Sequence, residues 1–152
     1  MKKLIFMLCA IFMTVTACAR DGKNISTQED GEAMKITITI NGKDTLNATL
    51  ADNTSAKAFA ELLQKGSVTV EMHGYGGFEQ VGSLPKSLPR SDTQISTEPG
   101  DIMLYQGNQV VMFYGTNAWA YTRLGKIGGV TQSELKKILD TGNIKAEFAL
   151  TD

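Results

Sequence analysis

"MKITITINGKDTLNATLADNTSAKAFAELLQKGSVTVEM", Met34 to Met72, changes its periodicity twice, and those changes decide the fold. Ile36, Ile38 and Ile40 alternate with threonines, the period-two signature of a half-buried strand. Asn41-Gly42 supplies a strong short hairpin signal, and Leu46, Ala48 and Leu50 alternate in the partner strand. Then Ala56, Phe59, Ala60 and Leu63 fall at i, i+3, i+4 and i+7, the apolar stripe of a helix. Asp52, Asn53 and Thr54 compete for its N-cap, and Gly66 stops it. From Val68 the period returns to two, with Val70 and Met72 on one face and Thr69, Glu71 and His73 on the other. The chain's single histidine therefore sits on the polar face of a strand, at its end.

Downstream, the loop with Pro85 and Pro89 precedes "DIMLYQ", a turn at Gly107-Asn108 and "QVVMFYG". That last run is apolar on both faces, so both must be covered or one must be a binding surface. "WAYTRLGKI" reads as a further strand. "TQSELKKILD" reads as a second helix, with Thr131 and Glu134 at capping-box spacing and Gly142 past its end. "IKAEFALTD" closes the chain as a strand. Two helices among about eight short strands in meandering order predict a mainly β fold, a closed antiparallel barrel capped by the helices.

Upstream, Lys2 and Lys3 precede the apolar run "LIFMLCAIFMTV". At about 12 residues it is too short to span a bilayer as a helix and reads as an export signal. Its ending, "VTAC", resembles a bacterial lipobox, which implies cleavage before Cys18 and acylation of that cysteine. The expected organisation is a signal at 1–17, a polar lipid-anchored tether at 18–33 and one domain at 34–152. The protein is expected on a bacterial membrane, facing the periplasm or the cell surface. Cys9 leaves with the signal and Cys18 carries lipid, so no disulfide supports the fold. About 120 residues suit one domain with its own core. A net charge of −1 with scattered charges leaves no electrostatic footprint for nucleic acid. A monomer is expected.

The order of these pieces resembles the cyclophilin fold, and more closely its bacterial cyclophilin-like family. "TLADNTSAKAFAELL" looks like the segment from strand two into the first helix, and "EPGDIMLY" like the strand after the long loop. "FYGTNAWAYTRLGKI" is similar to the run of strand, tryptophan loop and strand that precedes a capped helix. The resemblance implies a groove on the outside of the barrel, lined in cyclophilins by an arginine, a glutamine, a histidine, a tryptophan and phenylalanines. Rotation about a peptide bond has a barrier of about 18–20 kcal/mol from nitrogen–carbonyl conjugation, and a guanidinium aimed at the prolyl nitrogen weakens that conjugation.

Carried onto this sequence, the polar groups are largely replaced. Phe78 and Phe113 keep the phenylalanines, and Trp119 lies near the tryptophan. Gln80 stands where arginine is wanted, Val111 where glutamine is wanted and Tyr121 where histidine is wanted. The expected groove is His73, Tyr75, Phe78, Gln80, Val111, Phe113, Trp119, Tyr121 and Arg123. The expected function is a lipid-anchored binding domain with a degenerate isomerase groove, for a small molecule or extended peptide. The alternative is a peptidyl-prolyl isomerase with Arg90 or Arg123 as substitute electrophile, and His73, with Glu79, is the remaining catalytic candidate, without a motif to support it. With arginine and histidine near the rim, the ligand is expected to be neutral or modestly anionic. One histidine and no free thiol argue against a zinc site, and no cofactor is expected. "HGYGG" lacks the strand–loop–helix order of a phosphate cradle, so its glycines read as turns or bulges.

Overall fold

The computed structural model describes residues 32–152; the expected signal, Cys18 and most of the expected tether lie outside the described residues. Nine strands and two helices follow in the order β1 (Lys35–Ile40), β2 (Asp44–Leu50), α1 (Thr54–Gln64), β3 (Val68–Tyr75), β4 (Glu79–Ser83), β5 (Thr93–Ser96), β6 (Asp101–Tyr105), β7 (Gln109–Phe113), β8 (Ala118–Gly128), α2 (Gln132–Leu139) and β9 (Ile144–Leu150). The hydrogen-bonded order β2-β1-β9-β3-β4-β7-β6-β8 returns from β8 to β2. That is a closed eight-stranded antiparallel barrel, as the sequence predicts. Closure leaves no free edge along the barrel wall. β5, which the sequence reading left in a loop, pairs outside the closed ring with the first half of β8, Thr93 opposite Tyr121.

Local chemistry explains the corners. Asn41 and Gly42 both take positive φ, and Ile40 pairs with Asp44 across them. Asn53 caps α1 by accepting the Ala56 N–H at 2.8 Å, and Thr131 with Glu134 forms the capping box of α2. The seam between β2 and β8 needs a glycine. A Cβ on Gly125 would stand 2.6 Å from the Thr49 carbonyl oxygen, inside van der Waals contact. β8 also holds one extra residue, Leu124, against Ile102 and Met103 of β6, a bulge that bends the strand at this corner.

The barrel is filled by one face of each strand. Ile36, Ile38, Leu104, Val110, Met112 and Phe148 are fully buried in a single cluster, and both helices contribute to it, α1 through Phe59 and α2 through Leu135 and Leu139. Phe59 meets Phe148 edge to face, ring centroids 5.7 Å apart. A second, smaller cluster lies on the opposite face of β4, β6, β7 and β8: Val81, Met103, Val111, Phe113 and Tyr121, with Phe78, Ile95 and Tyr105 packed against it. The doubly apolar "QVVMFYG" is thereby explained. Val110 and Met112 face the interior, while Val111 and Phe113 face out into the second cluster.

Candidate functional site

The second cluster is the floor of a groove of about 840 Å3. Its walls are built by the hairpin of β3 and β4. β3 ends at Tyr75, Gly76 and Gly77 turn with φ of +62° and +74°, and β4 starts at Glu79 opposite Tyr75. Positive φ at both turn positions matches the right-handed twist of the strands and favours glycine at each. The glycine cluster is therefore a hairpin turn, with no phosphate-binding loop geometry. It presents Tyr75 and Phe78 edge to face, centroids 6.1 Å apart. The carbonyl of Phe78 accepts from the N–H groups of Tyr114 and Gly115, both at 2.9 Å, which fixes the turn against the end of β7.

Across the groove β8 presents Trp119 and Tyr121. Trp119 is 57% exposed and Tyr75 is 62% exposed, the two large hydrophobic side chains of the described residues left open to solvent. Tyr121 lies down on the floor, edge to face with Phe113 at 5.5 Å, and its hydroxyl accepts from the Asn117 side-chain amide at 3.0 Å.

One carboxyl opens into this aromatic surface. Glu79 lines the groove yet is only 7% exposed, and its Oε2 has no hydrogen-bond partner. Burial pushes its carboxyl up to about 7, and the neighbouring Tyr121 hydroxyl pulls it part of the way back. Burial and the Glu79 charge in turn raise the Tyr121 hydroxyl above its ordinary range.

Of the residues expected on the groove, His73, Tyr75, Phe78, Val111, Trp119 and Tyr121 line it. Phe113 does not reach its surface; it is fully buried as the floor beneath Tyr121. Gln80 is a correction. Neighbouring strand residues point to opposite faces, so Gln80 faces the interior and Glu79 the groove. The Gln80 amide donates to the carbonyls of Leu139 at 2.7 Å and Gly142 at 2.8 Å, holding the end of α2. The outward direction of Glu79 follows from the alternation of "FEQVGS" once that run is a strand.

The two arginines are the other correction. Arg90 and Arg123 line a separate cavity of about 640 Å3 with Asn53, Ser55, Ser91 and Thr122. Each already has an acidic partner. Arg90 approaches Asp92 at 3.5 Å, and Arg123 contacts buried Asp101 at 2.9 Å, where Lys126 also lies at 2.9 Å. Burial works to raise the Asp101 carboxyl, but the Glu98 N–H, Lys126 and Arg123 together outweigh it and hold it below the usual carboxylate range. Neither guanidinium lines the aromatic groove.

The sequence profile of the cyclophilin-like family matches residues 38–149. The chain belongs to the cyclophilin-like family. Seven solved chains match it, among them a structure of McbB in complex with tryptophan, with a TM-score of 0.60 at 14% identity. That match covers 75% of this chain and 44% of McbB, so this cyclophilin-like domain spans less than half of its length. At that identity the likeness is one of fold. No curated protein matches the chain in sequence.

Proposed function

We propose that the protein is an exported, Cys18-anchored cyclophilin-like binding domain whose outer-face groove takes a planar apolar group, from a small molecule or an extended peptide. The observation that carries this reading is the open aromatic surface formed by Tyr75, Phe78 and Trp119 over a floor that is already packed. Aromatic walls give large contact area at low entropic cost, and ligand pockets are lined mainly by apolar and aromatic side chains with a few placed polar groups. Against proline isomerisation stands the lining itself, which offers no guanidinium to meet a prolyl nitrogen. The "VTAC" ending of the signal supports the anchor.

Trp119 is the only tryptophan in the chain and reports on the groove directly. Titrating the full chain with aromatic metabolites, flavins and proline peptides is expected to shift its fluorescence and raise the melting temperature for at least one aromatic class, with Trp119→Ala, which removes the fluorophore, weakening the rise in melting temperature. If none of them moves either signal, the binding reading fails. For the anchor, wild-type protein is expected in the membrane fraction and Cys18→Ser outside it; a wild type that is already soluble refutes that part.

A further inference from the structure

The groove contains a group that its own protein leaves unserved. A buried carboxyl oxygen without a partner is costly, and a folded chain rarely tolerates one without a reason. Glu79 Oε2 is such an oxygen, and the groove is where the residue surfaces. No lysine or arginine lines the groove with it. The Tyr121 hydroxyl lies beside the carboxyl and the Asn117 amide is directed to that hydroxyl, yet neither closes a hydrogen bond with Oε2. Around the carboxyl stand Tyr75, Phe78, Tyr121 and Trp119, whose ring faces attract a cation and repel an anion.

We propose that Glu79 is the anchoring acceptor of this groove and that the ligand is an aromatic amine: a planar ring against Trp119 and Phe78, with a cationic nitrogen donating to Glu79 Oε2. The inference rests on the groove being a binding site and goes on to name what it takes. It reverses the charge expected from the sequence, because the arginines that suggested a neutral or anionic ligand lie in the other cavity.

The charge state of the carboxyl supplies a second signature. An amine gains most from the ionised form, so its affinity is expected to rise with pH as Glu79 deprotonates around 7. The titratable groups facing the carboxyl or sharing its groove are His73 and Tyr75 on β3, Tyr105 on β6, Tyr114 just past β7 and Tyr121 on β8. His73 shares the groove, so the pH series is run in His73→Gln as well.

The test uses three probes with one ring and different heads: 2-phenylethylamine, 2-phenylethanol and 3-phenylpropionate. They are titrated into the full chain and followed by Trp119 fluorescence and calorimetry. The amine is expected to bind about tenfold tighter than the alcohol, the scale of a charge-assisted hydrogen bond, and the acid weakest. Glu79→Gln is expected to bring amine and alcohol within about threefold of each other and to remove the rise in amine affinity between about pH 6 and 8, while His73→Gln keeps both. A preference for the alcohol or the acid, or an amine preference that survives Glu79→Gln, overturns the assignment to Glu79 and leaves the groove standing. If no probe perturbs Trp119 or releases heat, the groove reading falls and this inference with it. A melting curve of Glu79→Gln matching or exceeding that of wild type excludes misfolding as the cause of a lost preference.

Discussion

Glu79 and Gln80, adjacent on β4, reach opposite sides of one barrel wall. The carboxyl opens into the aromatic groove, and the amide reaches through the interior to the carbonyls of Leu139 and Gly142 at the end of α2. Each keeps one buried oxygen without a partner, Oε2 in Glu79 and Oε1 in Gln80. A single strand register thus couples the chemistry of the groove to the anchoring of a helix. A slip by one residue would exchange the two roles.

Gln80→Leu tests the inward half of that relationship. It removes one hydrogen bond to the last residue of α2 and one to the turn after it, and relieves one orphaned carbonyl oxygen, so the losses outnumber the gain. The net cost is expected to be about 1–2 kcal/mol, seen as a melting temperature lower by several degrees. Hydrogen exchange is expected to speed most in Ile138 to Ile144. A variant as stable as wild type would show that the α2 end does not depend on Gln80.

Glu79→Gln tests the outward half in the absence of ligand. The folded carboxyl titrates near 7 against an ordinary value of 4.5, so between those values the native state holds a proton the unfolded chain has released. Stability therefore falls as pH rises across that window, and the penalty is complete above it. Glutamine never ionises. Glu79→Gln is expected to melt higher than wild type at about pH 8 and to lose that advantage by about pH 4. An advantage independent of pH would mean that the carboxyl is not held in its neutral form.

What the sequence made legible follows from how far each signal reaches. The hairpin at Asn41-Gly42, the cap at Asn53 and the box at Thr131 and Glu134 depend on neighbours three or four residues away, and all three form as their residue types predict. Barrel closure was legible because the interior-facing residues alternate cleanly in β1, β2, β3 and β9. β4 was not. Its residues are buried on both faces, so Glu79 and Gln80 interrupt the apolar pattern and the run reads as a polar loop after a glycine cluster. β5 is short and mostly exposed, with Ile95 alone packed against a core, and exposed strands leave little periodicity to find. The placement of Arg90 and Arg123 depends on Asp92 and Asp101, partners whose proximity only the folded chain decides.

Phe113 and Trp119 separate the floor of the groove from its wall. Phe113 is fully buried, and truncating it to alanine is expected to cost about 3–5 kcal/mol, enough to threaten folding. Trp119 is more than half exposed, so Trp119→Ala is expected to move the melting temperature by no more than a few degrees while weakening ring-dependent binding. Thermal melts of the two variants check the contrast. Equal destabilisation would mean that Trp119 belongs to the packing rather than to a ligand surface.

Arg123 offers the sharpest division between a structural arginine and a catalytic one. Its guanidinium contacts Asp101, which Lys126 and the Glu98 N–H also hold. Arg123→Ala removes one of three partners from a buried carboxylate, so a loss of about 1 kcal/mol is expected rather than collapse. The pH dependence gives the sign. Asp101 titrates below its ordinary value in the folded state, so its contribution is full above that ordinary value and disappears as pH falls through the depressed one. The gap between wild type and Arg123→Ala is expected to be widest at neutral pH and to narrow in acid, with groove binding by the aromatic probes unchanged. A protease-coupled assay in which wild type accelerates proline isomerisation and Arg123→Ala does not would instead assign the guanidinium to catalysis, and would move the working site from the aromatic groove to the cavity that Arg123 shares with Arg90.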